Sequence, residues 1–77
     1  MSLEIHGSEL HYIFSDIKEK EKTFSFGELL KLFKDKTNKQ SMQSFYNFLR
    51  EARAFGVLEK IKSDMFIFKK AGLDGVQ

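Results

Sequence analysis

At 77 residues the chain has room for one domain, near the size below which a core needs a metal or disulfide staple. It has no Cys, which excludes disulfides and thiolate metal sites, and no apolar run approaches the roughly 18 residues of a membrane span. A soluble protein, cytoplasmic or nucleoid-associated, is therefore expected. The net charge is only +2, but it is unevenly placed. Residues 1–30 hold three Lys against six acids, residues 31–70 hold ten Lys or Arg against four, and Asp74 follows in the tail. Such asymmetry gives the second half a reason to face a polyanion, since clustered cations gain by releasing phosphate counterions.

Residues 1–7 show no periodic pattern and read as an N-terminal arm. Ser8 is a suitable cap for a first helix, in which Leu10, Ile13, Phe14 and Ile17 recur at i, i+3, i+4 and i+7 along one face. The charge-alternating run Lys18–Lys22 extends that helix to about residue 21. Thr23-Phe24 is extended by propensity, with Phe24 inward, and could form a short extra strand. Ser25 and Glu28 stand in capping-box spacing ahead of a second helix, whose stripe is Phe26, Leu29, Leu30 and Phe33. This helix carries Lys31 and Lys34 outside and ends in Asp35-Lys36-Thr37-Asn38.

The third helix opens on Thr37 or Asn38 as its cap and runs to about Phe55, with Gly56 placed for a left-handed C-terminal cap. At 100° per residue, Met42, Phe45, Phe48, Leu49 and Ala52 fall on one side, and Lys39, Gln40, Gln43, Asn47, Arg50 and Ala54 on the other. The second set joins amides, cations and a small residue without the Glu-Lys alternation of a merely solvated face. Val57–Ile61 then reads as a strand, Lys62-Ser63-Asp64 as a turn and Met65–Lys69 as a returning strand. Ser63-Asp64 is a weak turn pair, so the register of this hairpin could slip by a residue. Residues 71–77 contain two Gly and read as a short tail.

The outward face of the third helix holds the residue types that read base edges. Gln and Asn bond bidentately to adenine and Arg to guanine, and Gln43, Asn47 and Arg50 at i, i+4 and i+7 could reach along one groove. Lys39, Gln40, Ser41 and Ser44 cluster at the helix start, where free N–H groups favour a phosphate. Lys60, Lys62, Lys69 and Lys70 lie on or beside the hairpin, and Lys31, Lys34 and Lys36 flank the second helix. Lys is a point charge, suited to backbone positioning more than to base reading. For each of these residues the competing reading is an ordinary solvated position. Tyr46, between the inner and outer faces, reads as a packing residue.

The run Ser41–Ala52, followed by Phe55-Gly56-Val57-Leu58-Glu59, resembles the recognition helix and first wing strand of winged helix-turn-helix DNA-binding domains. Small polar residues open it, Phe45, Leu49 and Ala52 turn inward, and a small-apolar-Gly-apolar-apolar-Glu exit leads into the hairpin. The likeness spans about residues 8–70, although Ala52 and Phe55 stand where Leu and Ala are more usual. It implies an α+β fold of three helices and a two-stranded wing. It also implies a third helix in the major groove of double-stranded DNA and a wing on the backbone, as in a small transcription regulator of a microbe, archaeon or virus. A homodimer is expected from the small size of the unit, with contacts through the first helix, the tail or the wing.

Other readings stay open. Winged helices also serve as protein-interaction modules of replication or transcription complexes, and Phe55 and Phe66 would then meet the partner. RNA fits less well, because an A-form major groove does not admit a helix. Catalysis is not expected. His6, in the arm, and His11, on the first helix surface, are the only histidines, and Gly27 and Gly56 are isolated. Neither a cofactor nor a metal is implied, and the absence of an effector domain leaves a small-molecule ligand unexpected.

Overall fold

Residues 7–76 are described by a computed structural model of the chain. Along them run α1 (Gly7–Ile13), β1 (Glu21–Ser25), α2 (Phe26–Thr37), α3 (Met42–Ala54), β2 (Leu58–Lys62), β3 (Met65–Lys69) and α4 (Lys70–Asp74). The class is α+β, with four helices and one antiparallel sheet in the order β1-β3-β2. The most apolar strand, Met65–Lys69, takes the centre, where both of its edges are hydrogen-bonded. The short extra strand expected near Thr23-Phe24 is five residues long and joins the hairpin through β3, so the sheet has three strands.

α1 opens at Gly7, one residue ahead of the expected cap Ser8, and ends at Ile13, well short of residue 21. The residues that follow make tighter bonds: Ser15 N–H to the Tyr12 carbonyl at 3.2 Å and Ile17 N–H to the Phe14 carbonyl at 3.1 Å. The Ser15 hydroxyl also donates to the Tyr12 carbonyl at 2.8 Å, taking the acceptor a continuing helix would need. The charge run beyond it bends at residues 19 and 20 and enters β1, where Glu21 lies opposite Lys69. His11 is exposed, as expected of a surface position on α1. His6 and the remainder of the predicted arm, residues 1–6, lie outside the described residues.

The Ser25–Glu28 capping box forms at the head of α2. The Glu28 N–H donates to the Ser25 hydroxyl oxygen at 3.1 Å, and the Ser25 N–H donates to the Glu28 carboxylate at 2.9 Å. That backbone donor, helped by the Ser25 side chain, holds the Glu28 carboxyl below its ordinary value. Leu29 and Phe33 are buried, and Phe26 and Leu30 pack against the core from its rim.

Sixteen apolar side chains make one core, without a buried polar or charged residue among them in the described part. Phenylalanine rings join its layers. Phe68 of β3 stacks on Phe14 at 4.7 Å between centroids, Phe14 meets Phe48 of α3 at 5.9 Å, and Phe48 stacks on Phe33 of α2 at 5.1 Å. Phe45 continues the series to Phe26 in an edge-on contact at 5.2 Å. Such pairs add to the area they bury because offset and edge-on geometries suit the ring quadrupoles.

The exit from α3 is a Schellman closure. Gly56 is left-handed at φ 78°, its N–H donates to the Arg53 carbonyl at 3.1 Å, and the Val57 N–H reaches back to the Ala52 carbonyl at 2.8 Å. Val57 and Ala52 are both fully buried, the apolar contact that accompanies this motif. The predicted tail is a correction. Residues 70–74 form α4, and Leu73 and Val76 complete the core because the sheet and α1 leave an apolar gap at that end. The Val76 carbonyl sits 2.8 Å from His11 Nε2, tying the chain end to α1. Gly72 lies so close to the α3–β2 turn that a Cβ there would overlap the Gly56 carbonyl and come within 2.8 Å of the Val57 nitrogen.

Two outcomes test this packing. Gly72→Ala should lower stability by about 1–3 kcal/mol through overpacking, whereas Gly27→Ala, with open space at its Cβ, should be neutral or stabilising by up to about 1 kcal/mol. Urea unfolding of both variants checks the opposite signs. Acid unfolding should expose the cap: the depressed Glu28 value adds stability above the unfolded carboxylate value, and this is lost as pH falls through the folded one. The thermal midpoints of wild type and Glu28→Gln, apart near neutrality, should therefore converge as pH falls below the ordinary carboxylate range. A gap independent of pH would reject that assignment.

Candidate nucleic-acid interface

The start of α3 is set by Ser41 and not by Thr37 or Asn38. Asn38 takes the left-handed conformation at φ 58° and closes α2, its N–H donating to the Lys34 carbonyl at 2.9 Å. The Thr37 hydroxyl donates to the Phe33 carbonyl at 2.7 Å, so it too belongs to the end of α2. Ser41 is extended and its hydroxyl oxygen accepts from the Ser44 N–H at 3.4 Å. The predicted phosphate contacts Ser41 and Ser44 are thereby joined to each other as a helix cap.

The inner stripe holds for Phe45, Phe48, Leu49 and Ala52, all buried. Met42 is the exception at 39% exposure, because the first helical residue overhangs the end of the core. On the outer face Gln43 and Arg50 are exposed and Asn47 is half-buried. The Gln43 side-chain amide Nε2 donates to Asn47 Oδ1 at 3.2 Å, so these two already share one edge, and Arg50 stands one turn further on.

The lysines divide by partner. Lys39 meets Glu9 at 3.3 Å, Lys36 meets Asp16 at 2.6 Å, and Lys69 meets Glu59 at 3.2 Å. The Lys36 ammonium, by hydrogen bond and charge, holds the Asp16 carboxyl below its ordinary value, and Asp16 in turn raises Lys36. Lys36 also lies 5.3 Å from the centre of the Tyr12 ring, so it serves to fasten the α1–β1 connection to α2. Lys60 and Lys62 are exposed and have no ion-pair partner among the described residues, and the same holds for Arg50 and Arg53. Gln40, Lys31 and Lys70 are exposed, and Lys34 is half-buried.

The hairpin keeps its predicted limits within a residue, with one irregularity. Lys60 lies opposite Phe66 but Lys62 lies opposite Met65, so Ile61 is an extra residue in β2 and stands 53% exposed. The turn is anchored, since the Phe26 N–H at the head of α2 donates to the Asp64 carbonyl at 2.7 Å. Register places Lys60 on the same sheet face as Phe66, the face turned to the core and α3.

Between this face and the second half of α3 lies an open cleft of about 820 Å³. Leu49, Leu58 and Phe66 contribute to its floor, and Tyr46, Arg50, Arg53 and Lys60 also line it. Two of these, Tyr46 and Arg53, were not among the sequence candidates. Tyr46 is 51% exposed, with its ring leaning on Phe45 at 6.1 Å and Phe26 at 6.4 Å. Arg53 falls three residues after Arg50 and seven after Tyr46, a spacing that puts all three along one flank of the helix. The signal was present, but only the position of the hairpin reveals which flank is a wall of a cleft. Phe66 is 4% exposed and so unavailable for the partner contact that an interaction module would ask of it, whereas Phe55 is 48% exposed.

Among the described residues no cluster of His, Cys, Asp and Glu could hold a metal, and no helix is long and apolar enough to cross a membrane. No family model matches the chain, and no curated protein or solved structure shows a significant match.

The capping role of Ser41 has a measurable consequence. Ser41→Ala should cost about 1 kcal/mol, lowering the thermal midpoint by roughly 4–8 °C, while Ser41→Gly should lose only a few tenths of a kcal/mol. Equal midpoints for wild type and Ser41→Ala would show that the hydroxyl does not cap α3.

Proposed function

We propose that the chain is a winged helix-turn-helix domain that binds double-stranded DNA with sequence preference, as a small transcription regulator. In this reading α3 enters the major groove and the β2–β3 hairpin lies against the backbone. The observation that carries it is the stripe of Gln43, Asn47 and Arg50, free of acids, beside a hairpin whose Lys60 and Lys62 have no ion-pair partner among the described residues. The element order helix, strand, helix, helix and hairpin, with the first strand added to the hairpin, supports the same reading. The backbone contacts are weighted toward Lys60 and Lys62, because Lys39 and Lys69 must first give up Glu9 and Glu59. Gln40 stays available at the start of the groove face; the Ser41 hydroxyl accepts from the Ser44 N–H, whereas the Ser44 hydroxyl has no hydrogen-bond partner among the described residues. A two-fold pair on a palindromic site, inside the cell, belongs to the proposal.

Duplexes of several sequences titrated at two salt concentrations test it. Binding should weaken steeply with salt. Gln43→Ala and Arg50→Ala should each erase about 1–3 kcal/mol of preference among sequences. Lys62→Ala should weaken every duplex alike and reduce the salt slope by about 1. No binding at low salt would overturn the proposal, and equal losses on all sequences would overturn the base-reading assignment. A monomeric mass with and without DNA would remove the two-fold pair.

A further inference from the structure

A helix that only reads a major groove needs a convex face, and Gln43, Asn47 and Arg50 provide one. Beside that face, the flank of α3 next to the hairpin lines an open cleft of about 820 Å³. Its chemistry is two-sided. Beneath it lie the nearly buried Leu49, Leu58 and Phe66, and Arg50, Arg53 and Lys60 bring three cations without ion-pair partners among the described residues, while the one acid of the lining, Glu59, is paired with Lys69 at 3.2 Å. Tyr46 adds a half-exposed ring backed by Phe26 and Phe45, a flat surface held in place from behind.

These groups match the parts of one unpaired nucleotide. A base pressed on an aromatic ring needs no sequence-specific partner, because every base has a π face, and Arg guanidinium planes stack in the same manner. A phosphate needs charged donors at the rim, which Arg53 and Lys60 supply. The cleft is continuous with the groove-reading stripe through Arg50, which belongs to both. We propose that this cleft holds a single unpaired nucleotide, stacked on Tyr46 with its phosphate at Arg53 and Lys60. The domain then prefers duplex DNA that carries a single-stranded tail or an opened pair beside the site. The inference rests on the DNA-binding reading above for the duplex portion, and on the cleft alone for the unpaired nucleotide.

Fluorescence anisotropy with three labelled probes separates the two. The probes are a blunt duplex, the same duplex with a three-nucleotide 3′ or 5′ tail, and the tailed strand alone. The tail should raise affinity by about 5–150-fold, the range expected of one stacked base. Tyr46→Ala should abolish the ratio of tailed to blunt affinity, and Tyr46→Phe should restore it. Gln43→Ala should weaken tailed and blunt probes alike and leave the ratio standing. Circular dichroism confirms that each variant is folded, which the exposure of Tyr46 and Gln43 favours. Equal affinity for tailed and blunt duplexes by the wild type would overturn the proposal, as would a tail effect that survives Tyr46→Ala. Tyr46-dependent binding of the single strand, with no binding of the blunt duplex, would support the cleft and sink the duplex reading.

Discussion

The contact on which the rest depends is the row of phenylalanine rings through Phe48. A chain of this size without Cys has no covalent staple, so its core must hold its layers together by area and shape alone. Phe48 touches Phe14, Phe33 and Phe45, and through Phe14 it reaches Phe68 of the central strand. One side chain on α3 is therefore linked to α2, to the turn after α1 and to the sheet. Aromatic rings suit this task because each covers a large area with only two side-chain torsions to fix. The helix that carries the candidate interface is also the helix at the centre of the core.

That coupling explains why a cleft can persist beside α3 without collapsing. Phe45 and Phe48 pull the inner face of the helix into the core, while the Schellman closure at Gly56 turns the chain directly into β2. The close approach of Gly72 to Gly56 then fixes that turn from outside. At the other end of β3, the Phe26–Asp64 hydrogen bond holds the hairpin turn to α2. The hairpin is thus tied at both ends, and the space between it and the flank of α3 is set by backbone contacts. A hairpin held this way places Lys60 on the same cleft as Arg50 and Arg53.

Much of this was legible in the residues, and the limits have physical causes. The inner stripe of α3, the capping box at Ser25 and the left-handed exit at Gly56 are local patterns, decided within one or two turns of chain, and they held. The Ser63-Asp64 turn was weak enough to suggest a slip, and the strand accommodates it as an extra residue at Ile61. Failures came where distant contacts decide. The charged run after α1 could have continued a helix, but Ser15 takes the Tyr12 carbonyl and β3 offers a strand edge to Glu21–Ser25. Leu73 and Val76 are two apolar residues in a short segment with Gly72 and Gly75, too few to show periodicity, and only packing against the distant elements makes them core. Met42 sits on the inner face by angle but beyond the core by height, a distinction a helical projection does not contain. In the candidate site the outer face was readable from spacing, whereas Tyr46 and Arg53 depend on where the hairpin lies.

Charge placement carries the same lesson one step further. By sequence, the acids belong to the first half of the chain and the cations to the second, as though a basic half faced outward as a block. Folding brings the halves together and cancels part of the contrast: Glu9 takes Lys39 and Asp16 takes Lys36. Exposed pairs of this kind add little stability. Their effect is to quiet the end of the molecule where α2 meets α3. Arg50, Arg53, Lys60 and Lys62 have no such partner among the described residues, and they gather at the other end of α3 and on the hairpin. Lys18, Lys20, Lys31, Lys34 and Lys70 also lack ion-pair partners among the described residues, so the helix–hairpin side is one of several places where free cations remain. What distinguishes that side is the neighbourhood of its free cations: Arg50 belongs both to the outer stripe of Gln43 and Asn47 and to the lining of the cleft.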